Sequence, residues 1–153
     1  MKKLKNCVTL ALLLLCSAFV YAHDQIAPIN EPDLKKPKLF SDLPQKMDLK
    51  VSDIESLFRY KVGASVSLQV TNEFLLEGTV VSKSHDAQVE SVVVRSTNRP
   101  GALFTYTKTV TKEYGERYVG RMVSRYSGDA FEIIKENGQY VLIKKDYYDM
   151  INE

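Results

Sequence analysis

The chain has 153 residues, of which 21 are basic and 19 acidic, with two cysteines and no tryptophan. Three of the basic residues stand in a lysine-rich start, so the rest of the chain carries one more acidic than basic residue. This near-neutral balance argues against nucleic acid or an anionic membrane as the main partner.

Residues 1–22 have the parts of an export signal. Three lysines precede an apolar stretch over residues 8–20, and a small-residue cleavage site ends at Ala22. The pattern predicts a signal peptide and a periplasmic or secreted protein, without membrane insertion after the signal is removed. Both cysteines, Cys7 and Cys16, fall inside the signal. The remaining chain therefore has no disulfide and depends on its core for stability.

Residues 23–48 are rich in proline and polar side chains, a composition that resists helix and sheet pairing. We predict a flexible, proline-rich arm here, acting as a spacer. The alternative is a docking arm, because three apolar residues in it are able to lie on the domain. They are Leu39, Phe40 and Leu43.

Residues 49–153 have the pattern of one β domain. Ser52 followed by Glu55 is typical of a capping box and predicts one short N-terminal helix. Alternation of apolar and polar residues then predicts half-buried strands separated by turn residues. The seven predicted strands cover 65–71, 74–83, 89–96, 103–111, 117–126, 130–135 and 140–145.

Asn137-Gly138 lies between the last two predicted strands and is typical of a type I′ turn, in which both central residues have positive φ. With short connections and no crossover helix, the strands have to be antiparallel. We predict a mainly all-β fold, a single antiparallel meander closed as a small barrel or a sandwich. The tail 146–151 is predicted to add a helical turn or to cover a sheet edge.

Candidate catalytic and metal sites are few. The sequence has no nucleophile elbow, glycine-rich phosphate loop, paired metal-binding cysteines or calcium loop, so no cofactor is predicted. The two histidines are His23, the new amino terminus after cleavage, and His85. An N-terminal histidine binds copper through its amine and imidazole, and a second imidazole completes such a site. The alternative interpretation is two exposed histidines without a metal.

A row of arginines is the candidate binding surface. Arg117, Arg121 and Arg125 recur at every fourth position of one predicted strand, with valines between them. Guanidinium groups pair carboxylates in a bidentate way, so this basic strip fits an acidic partner or an anionic glycan. The alternative is a solvated face with cross-strand ion pairs.

Several short motifs resemble those of small uncharacterised exported β-rich proteins of Gram-negative Bacteroidota. The motifs are Leu39-Phe40-Ser41-Asp42-Leu43-Pro44, Phe74-Leu75-Leu76-Glu77-Gly78, Arg95-Ser96-Thr97-Asn98, Gly101-Ala102-Leu103-Phe104, Tyr118-Val119-Gly120-Arg121, Gly128-Asp129-Ala130-Phe131 and Gly138-Gln139-Tyr140. The resemblance implies an exported β-rich fold and brings no activity with it. More weakly, the chain is similar to the propeptide-like β domains of secreted zinc proteases. Such domains precede a His-Glu-x-x-His helix, which this chain lacks, so a protease-related role implies action on another polypeptide.

These observations favour an exported, non-enzymatic binding module that engages another envelope or secreted protein. The alternative is a copper-binding protein or enzyme that uses His23 and His85.

Overall fold

The computed structural model describes residues 36–151, and most of them lie in β-strands. The strands are β1 (Lys46–Leu49), β2 (Ser65–Gln69), β3 (Leu75–His85), β4 (Val89–Ser96), β5 (Ala102–Thr111), β6 (Gly115–Ser124), β7 (Asp129–Glu136) and β8 (Gln139–Asp146). The helices are α1 (Val51–Ile54), a 3₁₀ helix (Glu55–Arg59) and α2 (Tyr147–Ile151). Among the described residues, no helix has the length and apolar character needed to span a membrane.

All eight strands belong to one antiparallel sheet. From β2 to β8 each strand pairs with the next one in the chain, and β1 pairs with β8. The sheet curls into a half-barrel whose two edge strands are β1 and β2. The predicted all-β class and the antiparallel meander are thereby confirmed.

The core fills the concave side of the sheet, where alternate strand residues are buried. Aromatic rings dominate it. Tyr106 stacks on Phe58 with ring centroids 5.0 Å apart, and on Tyr118 with centroids 5.9 Å apart. Phe131 contacts Phe74 at 6.4 Å and Phe40 at 5.1 Å, in the latter case edge to face. Pairs of this kind add to the free energy of burial itself.

The segment between β1 and β2 closes over the core as two short helical pieces. The predicted short helix is confirmed, but its predicted cap is wrong. Helix α1 begins after Lys50 without a side-chain cap, and the hydroxyl of Ser52 donates to Asp53 instead. The carboxylate of Glu55 accepts hydrogen bonds from β5 and β6, so it is not available to complete a capping box.

The predicted flexible arm ends earlier than residue 48, because residues 36–48 belong to the folded domain. Residues 46–48 lie in β1, and Phe40 is completely buried. The backbone amides of Leu39 and Phe40 donate to the buried carboxylate of Asp129 at 2.7 and 2.9 Å. The proline content predicted a flexible segment. Burial of Phe40 and these two hydrogen bonds instead hold residues 36–48 on the domain. Residues 1–35, with the predicted signal and the start of the arm, lie outside the described residues.

The last hairpin forms as its sequence predicts. Asn137 and Gly138 have φ values of 50° and 86°, as the type I′ turn requires, and β7 pairs with β8 along its whole length. The helical turn predicted for the tail is also confirmed, as α2. The Tyr147 amide at its start donates to the Gly128 carbonyl at 2.9 Å, and Met150 is buried.

Candidate binding surface

The convex side of β5 and β6 carries a mixed polar and apolar surface. Alternation directs Tyr118, Gly120 and Met122 of β6 into the core. It turns Val119 and Arg121 to the outside. The same alternation turns every second residue of β5 outward. We name this surface the β5–β6 face, and it comprises Leu103, Thr105, Thr107, Thr109, Thr111, Arg117, Val119, Arg121 and Val123.

Apolar side chains on the β5–β6 face remain open to solvent. Leu103 is 38% exposed and Val119 is 41% exposed. Tyr147 and Met150 of α2 line the same open groove as Val119 and other residues of the face. Helix α2 thus borders the groove on one side, while the β5–β6 side carries no covering element among the described residues.

The three predicted arginines have different environments. Arg121 is held by Glu132 of β7, whose Oε1 accepts from Nε at 2.9 Å and from Nη2 at 2.8 Å. Arg125 lies beyond the end of β6, and its guanidinium stacks over the ring of Tyr126. All three arginines are exposed. Arg117 is the one that has no hydrogen-bond or ion-pair partner within residues 36–151. The row is therefore shorter than predicted, with Arg117 as its available cation.

Glu132 is the centre of a small ion network on the sheet. Besides Arg121, its carboxylate contacts the ammonium of Lys145 at 3.0 Å, and only 13% of the Glu132 side chain is exposed. Burial opposes ionisation of this carboxyl, but hydrogen bonds from Lys145 and Arg121 outweigh burial and hold the pKa of Glu132 below its usual range. This cross-strand network is the arrangement expected of a solvated, charge-paired strip.

Acidification is expected to remove the contribution of Glu132. Its pKa is lower in the folded than in the unfolded chain, so its stabilisation is complete above about pH 4.5 and is lost as the pH falls through the folded pKa. We expect Glu132→Gln to cost about 1–3 kcal/mol at pH 7 and to flatten the acid limb of the stability curve. Urea unfolding from pH 7 to pH 3 measures this, with exposed Glu113→Gln as the control. Parallel acid limbs for wild type and Glu132→Gln would contradict it.

A second polar cluster lies at one end of the half-barrel and was not predicted from the sequence. The hydroxyl of Tyr118 donates a hydrogen bond to Glu55 Oε1 at 2.5 Å and lies 2.9 Å from Glu116 Oε2. Lys108 contacts the same two carboxylates at 3.3 and 2.7 Å. The cluster ties the 3₁₀ helix to β5 and β6. Glu55 lies 53 positions from Lys108, so no local motif predicts the cluster.

The protonation states in this cluster favour a structural role. The hydrogen bond from Lys108 lowers the pKa of Glu116, and contacts with Glu116 and Tyr118 raise the pKa of Lys108. Burial, together with the hydrogen bond to Glu55, raises the pKa of Tyr118. Lys108, Glu116 and Tyr118 are thus each held in their ordinary charge state at neutral pH. General acid–base catalysis needs the opposite, a pKa moved towards the working pH.

The predicted pair of His23 and His85 stays a prediction, because only His85 lies among the described residues. His85 ends β3 with its side chain 75% exposed, and its Nδ1 lies 3.6 Å from Glu90. His23 lies outside the described residues. Within residues 36–151, no group of three or more histidine, cysteine, aspartate or glutamate side chains is placed to bind a metal ion.

Comparison with known proteins finds no matching family, no matching curated protein and no matching solved structure.

Proposed function

We propose that this protein is an exported, non-enzymatic binding module that engages another envelope or secreted protein through the β5–β6 face. The observation that carries the proposal is the outward row of β6, in which the exposed Val119 lies next along the face from Arg117, a cation without a hydrogen-bond or ion-pair partner among the described residues. Apolar contacts supply binding free energy, and a nearby guanidinium selects a carboxylate. The partner surface is accordingly an acidic segment that carries apolar side chains.

Support for a protein ligand comes from the shape and chemistry of the groove. It is open and lined by threonines, valines and charged residues drawn from four strands and α2, with a cavity volume of about 1230 Å³. Small-molecule sites are usually enclosed and have a few converging polar groups. An open surface with scattered apolar residues fits a polypeptide better.

A peptide-binding experiment tests this function. The probe is a fluorescent peptide of alternating glutamate and valine, compared with a lysine–valine peptide of the same length, by fluorescence anisotropy. We expect only the acidic peptide to bind, and we expect its affinity to fall as the salt concentration rises. We also expect Arg117→Gln to weaken binding about five- to tenfold, the loss of one charge-assisted hydrogen bond.

Arg95→Gln is the matched control, because Arg95 is exposed on β4 and does not line the groove. It is expected to leave the affinity unchanged, and circular dichroism checks that both variants fold. Equal binding of the two peptides, or equal losses in the two variants, would overturn the proposal.

A further inference from the structure

The sheet opens between β6 and β7 at the end of the half-barrel that holds Tyr118. The two strands pair over four positions, from Val123 with Ala130 to Gly120 with Ile133. Beyond Gly120, β6 continues to Gly115 with no further partner on β7, and β7 continues to Glu136 with none on β6. The two strand ends therefore enclose a gap, which we call the β6–β7 split, between residues 115–119 and 134–136.

Tight contact at the last pair marks where the ladder stops. A Cβ atom at Gly120 would lie 2.7 Å from Cδ1 of Ile133 and 2.9 Å from the carbonyl oxygen of Thr105. Two residues further along, regular pairing would set Tyr118 against Lys135. Instead, the Tyr118 amide donates to the hydroxyl of Tyr140 at 3.2 Å. A β8 side chain thus takes the place of the missing main-chain acceptor.

The backbone along the split resembles the edge of a sheet. Alternate residues of a strand direct their amide and carbonyl groups to the same side, so Glu116 faces the split as Tyr118 does. Such an edge is a template for another extended chain. The groove extends to the split, since residues of both strands line it, including Arg117, Ile134 and Lys135.

We propose that an extended peptide segment with acidic side chains enters the β6–β7 split and pairs with β6 over residues 115–119. This rests on the proposed function and names the mode of recognition. Main-chain hydrogen bonds to β6 supply the pairing, and the charges select the side chains.

Charge complementarity identifies the occupant as acidic. Arg117 borders the split on the convex side, without a partner among the described residues. Lys135 borders it on the opposite side of the sheet, where its ammonium lies 5.5 Å from the ring centroid of Tyr140. Both acidic residues at the split already have a cation, since Glu116 contacts Lys108 and Glu136 pairs with Lys46. The cations at the split therefore outnumber the available anions, and an inserted strand meets one on each face.

N-methylated peptides test the main-chain pairing. The glutamate–valine peptide is made with N-methyl groups on alternate residues, in two versions that methylate the glutamates or the valines. A strand paired with β6 uses the amides of one set, so we expect one version to bind at least tenfold more weakly than the other. Equal affinities for both versions would show that side chains alone bind the peptide, which overturns strand pairing but leaves the proposed function standing. Absence of binding by any acidic peptide would overturn both.

Tyr140→Phe gives a second, independent test. This substitution removes the hydroxyl that accepts from the Tyr118 amide and leaves that donor for an incoming carbonyl. We expect the unmethylated peptide to bind two- to tenfold more tightly. Tyr126→Phe is the matched control and should not change the affinity, because Tyr126 is 59% exposed, does not line the groove, and also loses a hydroxyl that accepts one hydrogen bond. Unchanged or weaker binding by a folded Tyr140→Phe protein would contradict pairing at this amide.

Discussion

Phe40→Ala is expected to destabilise the protein by about 3–5 kcal/mol, the cost of removing a large aromatic side chain from a filled core. Phe40 is completely buried, and its ring meets that of Phe131 edge to face. The substitution leaves a cavity that the neighbouring sheet cannot fill by a small shift. Since domains of this size have about 5–15 kcal/mol of stability, a large share of it depends on one residue of the predicted arm.

Chemical denaturation with circular dichroism measures the effect. Tyr114→Ala is the control, because Tyr114 is also aromatic but is 75% exposed in a turn. We expect the control to change the free energy of unfolding by less than about 0.5 kcal/mol. If Phe40→Ala lost as little free energy of unfolding as the Tyr114→Ala control, residues 36–43 would not dock on the core.

Most of the sheet was predictable because its residues alternate over long strands. In β5 and β6 the buried and exposed positions follow the period of two, and the Asn137-Gly138 turn fixes the last hairpin. These features are local. Each is encoded within a dozen residues, and tertiary contacts reinforce the structure that the local pattern favours.

The first strand and the segment before it were missed because their order comes from distant residues. Strand β1 has four residues, too few for alternation to be distinctive, and its partner is β8 at the other end of the chain. The segment around Phe40 is held by Asp129, almost ninety positions away. The proline content of this segment favoured a flexible arm. Composition alone does not show which of its apolar residues pack against a distant part of the chain.

The candidate surface was predicted in part. Alternation placed Arg117 and Arg121 on one outward face, as the structure has them. The pairing of Arg121 with Glu132 depends on the register of β6 against β7, which the sequence does not specify. The β6–β7 split has the same origin. The sequence pattern of each strand continues without a break. Only the pairing in the structure shows that the ladder between β6 and β7 stops after four positions.

The two proposals make different demands on this surface. Selection of an acidic partner depends on Arg117, whose side chain projects from the convex face and has no described partner. Strand pairing depends instead on the backbone of β6 and on the Tyr140 hydroxyl. The side chains of Arg117 on β6 and Tyr140 on β8 lie on different strands, so the two variants can be measured singly and in combination. Additive effects on affinity are expected for groups that do not share a partner.

Asp129→Ala is expected to cost about 2–5 kcal/mol, because it leaves two backbone amides buried without acceptors. The Asp129 carboxylate is 1% exposed and accepts from the amides of Leu39 and Phe40 and from the hydroxyl of Ser127. Asp129→Asn keeps one acceptor oxygen and should give an intermediate loss. Each variant is measured by urea denaturation at neutral pH.

Asp146→Ala is the matched control for this carboxylate. Asp146 also contacts the 36–43 segment, through an ion pair with Lys38, but its side chain is 56% exposed. Exposed pairs contribute about 0–1 kcal/mol, so its loss should be small. The Phe40→Ala/Asp129→Ala double variant is expected to lose less than the two single losses combined, because both act through docking of the same segment. Full additivity would mean that Asp129 stabilises the fold by a route that does not pass through Phe40.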